Sequence, residues 1–167
     1  MTRKLTFRQK IFQITDKYWI KDQDGNKAYQ VDQDLRLIGD KIHVNDANKE
    51  PIFTVTRKII RLFPTYEIEF TSGETIKVRS QLSFMKRKLK VTSDDFKLQV
   101  KGNLIDYKFK IYQDGDLIGS IGKKMISIGD SYVVTVENTD FEQVLVGIAI
   151  AIDNLMDQED AEEADEE

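Results

Sequence analysis

The sequence has no cysteine, only two prolines and a single histidine, His43. Without cysteine the chain has no disulfide framework, no thiolate ligand for zinc, no thiol nucleophile and no site for S-palmitoylation. One histidine is too few for a polyhistidine metal site. Two prolines and the lack of any Ser/Gly-rich stretch argue against an interdomain linker, so the 167 residues are expected to form a single domain.

Long hydrophobic runs are also missing. The longest uncharged apolar run covers residues 144–152, whereas a helix needs about 20 apolar residues to span a bilayer. The first ten residues are basic but include no apolar segment of the kind found in signal peptides. The sequence therefore predicts a cytoplasmic protein without a transmembrane span, with peripheral membrane association as the one membrane role left open.

The charges are unevenly distributed along the chain. The net charge is −4, but residues 157–167 contain eight acidic residues and no lysine or arginine. Residues 1–156 are therefore mildly basic. We predict a folded domain over residues 1–156 followed by an acidic disordered tail over 157–167. Such a tail could also compete with an anionic ligand for the basic face of the domain.

From about Leu5 to Glu137 the pattern is typical of antiparallel β-strands. Apolar and charged side chains alternate over residues 66–70 and 107–111, which gives each strand one buried and one exposed face. Turn-forming pairs such as Asp24-Gly25 separate these runs at short intervals. The count is about twelve strands, enough to close into an antiparallel barrel.

Residues 140–156 are the only segment whose sequence pattern predicts a helix. Apolar side chains cover all of its faces, so protein or lipid must surround it. Its predicted length of about 25 Å suits the axis of a closed barrel, and Gly147 would let the barrel wall approach closely. A reversible membrane anchor is the alternative, but Glu142, Asp153 and the acidic tail disfavour it. A small-molecule barrel of the lipocalin type is a further alternative, but it would need an empty lumen, which the helix would occupy.

Three stretches, residues 18–31, 107–119 and 129–153, carry a resemblance to a known family. A long series of hairpins followed by one apolar helix resembles the tubby C-terminal superfamily, and most closely the LURP-one-related family in its small bacterial form. The resemblance implies a twelve-stranded barrel around the C-terminal helix. The superfamily is associated with phosphoinositide binding in tubby proteins and with lipid movement in scramblases, whereas the LURP-one-related branch has no settled activity.

The sequence differs from the scramblases in the regions to which their lipid and calcium chemistry is attributed. It has no Pro-rich N-terminal region and no cysteine to acylate, and only Asp130 and Asp140 match the acidic stretch that is thought to bind calcium there. Two carboxylates cannot supply the six to eight oxygen ligands of Ca²⁺. We therefore predict no metal site and no cofactor.

No catalytic constellation is visible in the sequence. His43 lies in a predicted strand, with no marked serine or third group to complete a triad. Residues 119–124 are too short for a phosphate-binding P-loop. The sequence therefore predicts a protein that is not an enzyme.

Basic clusters occur at residues 57–61, 86–90 and 123–124. On strands about half of each cluster would point outward, where lysines beside an apolar residue suit an anionic membrane surface. We predict non-enzymatic docking on anionic phospholipid or phosphoinositide headgroups; the alternative is a protein-interaction module without lipid affinity. A body this weakly basic disfavours nucleic acid. The predicted anion- or lipid-binding residues are Arg57, Lys58, Arg61, Lys86, Arg87, Lys88 and Lys90.

Overall fold

The computed structural model describes residues 2–8, 17–34, 41–60, 63–82, 87–103, 107–126 and 129–165. These residues form twelve β-strands, a short 3₁₀ helix (Thr139–Phe141) and one α-helix, α1 (Glu142–Asp165). The strands are β1 (Arg3–Arg8), β2 (Lys17–Asp22), β3 (Lys27–Asp34), β4 (Lys41–Asp46), β5 (Pro51–Ile60), β6 (Phe63–Phe70), β7 (Thr75–Leu82), β8 (Arg87–Ser93), β9 (Leu98–Asn103), β10 (Lys108–Gln113), β11 (Asp116–Ile126) and β12 (Gly129–Val136).

All twelve strands belong to one antiparallel sheet. Its order is β8-β7-β6-β5-β4-β3-β2-β1-β12-β11-β10-β9, so the first and last strands of the chain are paired in the middle of the sheet. The two edge strands, β8 and β9, lie beside each other and bring the sheet to a nearly closed barrel. The predicted twelve-stranded antiparallel barrel around a C-terminal helix is confirmed.

The predicted alternation of side chains sets the inside and outside of the barrel. On β6, Tyr66 and Ile68 are almost fully buried, whereas Glu69 on the opposite face is exposed. Because successive strand residues point to opposite faces, the buried set from all strands converges on the barrel axis. The core is therefore a cylinder of Ile, Val, Leu and aromatic side chains around α1.

Helix α1 fills the barrel with an apolar surface on every side. Asn138 caps the preceding 3₁₀ helix, with its Oδ1 accepting a hydrogen bond from the backbone N–H of Asp140 at 3.0 Å. Leu145 and Ile148 are completely buried, and burial continues to Leu155. An all-apolar helix is stable in water only with such a wall around it.

The helix continues beyond the predicted end at Met156. It reaches Asp165, so residues 157–165 have helical backbone where the sequence predicted a disordered tail. Alanine and glutamate in this segment have high helix propensity, and a helix already held by the barrel needs no new nucleation.

Hydrogen bonds to the barrel wall tie down both ends of the buried part of α1. The Tyr29 hydroxyl donates to Glu142 Oε1 at 2.6 Å, and the Tyr66 hydroxyl donates to Asn154 Oδ1 at 2.8 Å. Arg3 Nη1 lies 3.5 Å from the same Glu142 oxygen. Burial, reinforced by the bond to Glu142, raises the pKa of Tyr29 far above its usual value, so this hydroxyl remains a donor.

Two glycines allow the close approach between helix and wall. A Cβ atom at Gly147 would lie 3.1 Å from Ile68 Cγ2, and one at Gly119 would lie 2.5 Å from Leu145 Cδ1. A side chain at either position would need the packing to shift, because protein cores are close-packed.

Candidate anion-binding site

The first predicted basic cluster is divided between the two faces of β5. Arg57 shares the inward face with Phe53 and Val55, and its Nε is buried without a hydrogen-bond partner in the described part of the chain. Lys58 points outward and its Nζ lies 2.5 Å from Glu67 Oε2. The bond between them raises the pKa of Lys58 and lowers that of Glu67. Arg57 therefore does not belong to the outer surface, and Lys58, although exposed, is already paired with a carboxylate.

The second cluster is only partly within the described residues. Lys90 is exposed on β8, where it lies directly opposite Arg79 of β7. Arg87 and Lys88 belong to the start of β8, and nothing is described of their side chains. Arg61 and Lys86 lie outside the described residues. The seven predicted residues therefore do not form one described surface.

A different group of lysines lines a single groove on the outer face of the barrel. The cross-strand register places Lys101, Lys110, Ser120, Thr135 and Lys4 in one row across β9, β10, β11, β12 and β1. At about 4.8 Å per strand, three strand spacings of about 14 Å separate the backbones of Lys110 and Lys4. Lysine side chains can reach from both sides over the small residues between them.

The adjacent row completes the groove. Lys108, Gly122, Val133 and Thr6 follow one another across β10, β11, β12 and β1. We call this concavity the lysine groove. Lys4, Lys101, Lys108 and Lys110 line it from the outer face, and Lys123, the cross-strand partner of the buried Tyr132, also borders it. The volume of the groove is about 920 Å³. The remaining lining residues are Asp22, Gln23, Gly102, Phe109 and Ile121.

The floor of the groove is low because the central residues are small. Ser120 and Gly122 of β11 lie between the long side chains of β10 and those of β1. A Cβ atom placed on Gly122 would have no neighbour within 4 Å, which shows how much open space stands above this strand. Small residues at the centre and lysines at the sides make the outer surface concave here.

Few negative charges offset these lysines. Asp22 is the only carboxylate in the lining, and its Oδ1 accepts the backbone N–H groups of Asn26 at 2.9 Å and Asp24 at 3.0 Å. These bonds, led by that of Asn26, lower the pKa of Asp22, and they engage its Oδ1 with the β2–β3 turn. Within the described ranges, Lys4, Lys101, Lys108 and Lys110 form no ion pair.

Aromatic rings hold two of the groove lysines. Lys101 Nζ lies 5.0 Å from the centroid of the Tyr112 ring, and Lys123 Nζ lies 5.7 Å from that of Tyr107. Such cation–π contacts orient an ammonium group without neutralising it. The groove is therefore a positively charged surface with hydroxyl groups on its floor.

Sequence reasoning missed the lysine groove. The alternation of Lys108 and Lys110 with apolar residues was interpreted only as the solvent-exposed face of a strand. The available signal was that two successive outward positions of β10 are both lysine, with Lys101 nearby on the preceding strand. Lys4 lies about a hundred residues away in the sequence, and only the β1–β12 pairing brings it to the same surface.

Among the described residues no group of three or more His, Asp or Glu side chains could hold a metal ion. His43 is exposed on β4, with its Nδ1 3.3 Å from the Thr54 hydroxyl. No helix in the described ranges is both long and apolar enough to cross a membrane.

The barrel threaded by its own C-terminal helix defines a tubby-like domain. Residues 3–153 match the family described as LURP-one-related, and the chain belongs to that family. It is similar to the uncharacterized protein YxjI of Bacillus subtilis (strain 168), with 24% identity over 153 residues that cover 92% of this chain and 93% of that protein.

A solved structure shares the fold. The X-ray structure of a protein from Arabidopsis thaliana superposes with a TM-score of 0.58 over 90% of this chain and 91% of the plant chain. The sequence identity is 15%, so the likeness concerns the fold alone. The family membership predicted from the sequence is confirmed.

Proposed function

We propose that this protein is a non-catalytic binding domain that docks on anionic phospholipid headgroups through the lysine groove. The observation that carries the proposal is the gathering of five lysines around one groove whose single carboxylate is bound within a turn. Near an anionic membrane surface each lysine contributes about 1 kcal/mol. The groove lysines together are therefore sufficient for measurable docking.

The dimensions of the groove suit a headgroup. Its volume of about 920 Å³ lies within the range of small-molecule sites, about 300–1,000 Å³. The hydroxyl groups of Thr6, Ser120 and Thr135 can donate to phosphate or polyol oxygens, and the lysines supply charge-assisted hydrogen bonds. Headgroups with more than one phosphate, such as those of phosphoinositides, would engage lysines on both sides of the floor.

Vesicle co-sedimentation tests this function. We would compare neutral with anionic vesicles, at low and high salt, for the wild type and a groove variant with Lys101, Lys108 and Lys110 changed to Gln. Three lost lysines at about 1 kcal/mol each correspond to about a hundredfold weaker binding to anionic vesicles. High salt should weaken wild-type binding because it screens exposed charges.

A matched control separates the groove from net charge. Lys41, Lys77 and Lys97 are exposed and lie outside the groove. Changing all three to Gln alters the net charge by the same amount, and we expect binding close to that of the wild type. Equal losses in both triple variants would assign binding to overall charge instead of the groove.

The binding residues predicted from the sequence provide a further arm, with one lysine from each of the first two basic clusters. A variant with Lys58 and Lys90 changed to Gln should bind as the wild type does if the groove is the docking site. A larger loss in this variant than in the groove variant would move the site to the β5–β8 face. If no variant and no wild-type protein binds either vesicle, lipid docking is wrong and a protein-interaction module is favoured.

A further inference from the structure

Two groove lysines lie directly opposite each other. Lys101 of β9 and Lys110 of β10 are cross-strand partners on the outer face, and both are exposed. Like charges in this arrangement destabilise a sheet. No carboxylate of the described residues forms an ion pair with either lysine, so the repulsion persists in the free protein.

The neighbours of this pair favour an anion between the two ammonium groups. Tyr112, two residues after Lys110 on the same face of β10, holds Lys101 Nζ 5.0 Å from its ring centroid. Ser120 of β11 is the cross-strand partner of Lys110 on its other side. Two ammonium groups and one hydroxyl thus occupy three successive strands at one level of the barrel.

We infer that Lys101, Lys110 and Ser120 form a phosphate-binding subsite of the lysine groove. The ligand class is a phosphate monoester, either free in solution or carried by a lipid headgroup. Such a group has a charge of about −1.5 to −2 at neutral pH. Placed between the two lysines, it replaces their repulsion with two charge-assisted hydrogen bonds, and Ser120 can donate a third.

This inference rests on the proposed function in one respect, namely that the subsite lies within the same lysine groove. It also predicts an effect on the stability of the free protein, which membrane docking by itself does not predict. Because the free protein contains the opposed charges, removing one lysine should raise the thermal stability of the free protein while it weakens phosphate binding. A purely structural lysine would lower stability when replaced.

The experiment is a thermal-unfolding titration with inorganic phosphate, using sodium chloride at equal ionic strength as the reference. Phosphate should raise the Tm of the wild-type protein above that of the chloride reference. Lys110→Gln should have a higher Tm than the wild type without phosphate, and its phosphate affinity should fall about tenfold or more. Ser120→Ala should lose part of the phosphate effect, whereas Lys41→Gln should retain all of it.

Two results would overturn the subsite. One is an equal rise in Tm with phosphate for the wild type and Lys110→Gln. The other is a lower Tm of Lys110→Gln without phosphate, which would mean that no repulsion is relieved. The two proposals remain distinguishable: phosphate-specific stabilisation without vesicle binding supports the subsite and rejects lipid docking. Vesicle binding without phosphate-specific stabilisation supports docking and rejects the subsite.

Discussion

At the residue scale, Glu142 is the buried carboxylate whose surroundings explain how α1 is anchored. Its side chain is 10% exposed and accepts the Tyr29 hydroxyl at 2.6 Å, with Arg3 at 3.5 Å. A buried carboxylate needs hydrogen-bond donors or a counter-charge, and here it has both. The sequence showed Glu142 as a residue of the first helical turn but could not show that a tyrosine about a hundred positions earlier donates to it.

Changing Tyr29 to Phe tests this anchor. The substitution removes the donor and leaves the buried carboxylate short of one hydrogen bond, so unfolding free energy should fall by about 1–3 kcal/mol. Urea denaturation measures the change. Tyr112→Phe is the matched control because it removes a hydroxyl but keeps the ring that contacts Lys101, and its cost should stay within about 0.5 kcal/mol. Equal costs for both variants would mean that the Tyr29–Glu142 bond contributes nothing.

At the element scale, three hairpins use the same five-residue turn. Backbone bonds join the first and last residues in 22–26, 46–50 and 70–74, and the fourth residue has a positive φ in each. Asp22 and Asp46 also accept two backbone N–H groups through Oδ1. The sequence indicated the first of these turns through its Asp24-Gly25 pair, and an Asp side chain that bonds to nearby backbone N–H groups is itself a local signal of a turn.

Lys49 occupies the left-handed position that Gly25 and Gly73 fill in the other two turns. Its φ is 68°, a conformation that costs a non-glycine residue about 1 kcal/mol or more. Lys49→Gly should therefore raise the free energy of unfolding by about 1 kcal/mol, and Gly25→Lys should lower it by about the same amount. A Cβ at Gly25 meets nothing within 4 Å, so the reciprocal change isolates backbone strain. Unchanged denaturation midpoints in both variants would contradict this explanation.

At the scale of the whole molecule, the described residues show one seam in the barrel. Strands β8 and β9 are the edges of the sheet and lie side by side, whereas every other neighbouring pair in the sheet order is joined by a ladder of hydrogen bonds. Outside the seam the wall is tied both by those ladders and by its packing on α1. Local opening should therefore begin where backbone bonds are fewest.

Amide hydrogen exchange tests the seam. The amides of β8 and β9 that face the seam should exchange faster than those of β5 and β6, which pair with neighbours on both sides. Exchange followed by NMR resolves the individual amides, and those of β8 that bond to β7 act as an internal control. If the seam-facing amides of β8 and β9 were as well protected from exchange as those of β5 and β6, the two edge strands would be hydrogen-bonded to each other in solution and the explanation would be wrong.

Local features of the sequence determined the fold. Alternating residues define strands with one buried face, turn residues separate them, and a helix that is apolar on all faces must be enclosed. These are properties of residues close together in the chain, so the barrel and its central helix could be predicted from pattern and family resemblance. The helical continuation to Asp165 was missed, because its acidic composition resembles that of a solvated tail.

Only the tertiary structure decided which cations share a surface. Register turns Arg57 inward and Lys58 outward, and a shift by one residue would reverse them. It also aligns Lys4, Lys101 and Lys110 across strands that are far apart in the sequence. Charge clusters along the chain indicated that anions could bind, but the location of the candidate site depends on long-range strand pairing, which no local pattern contains.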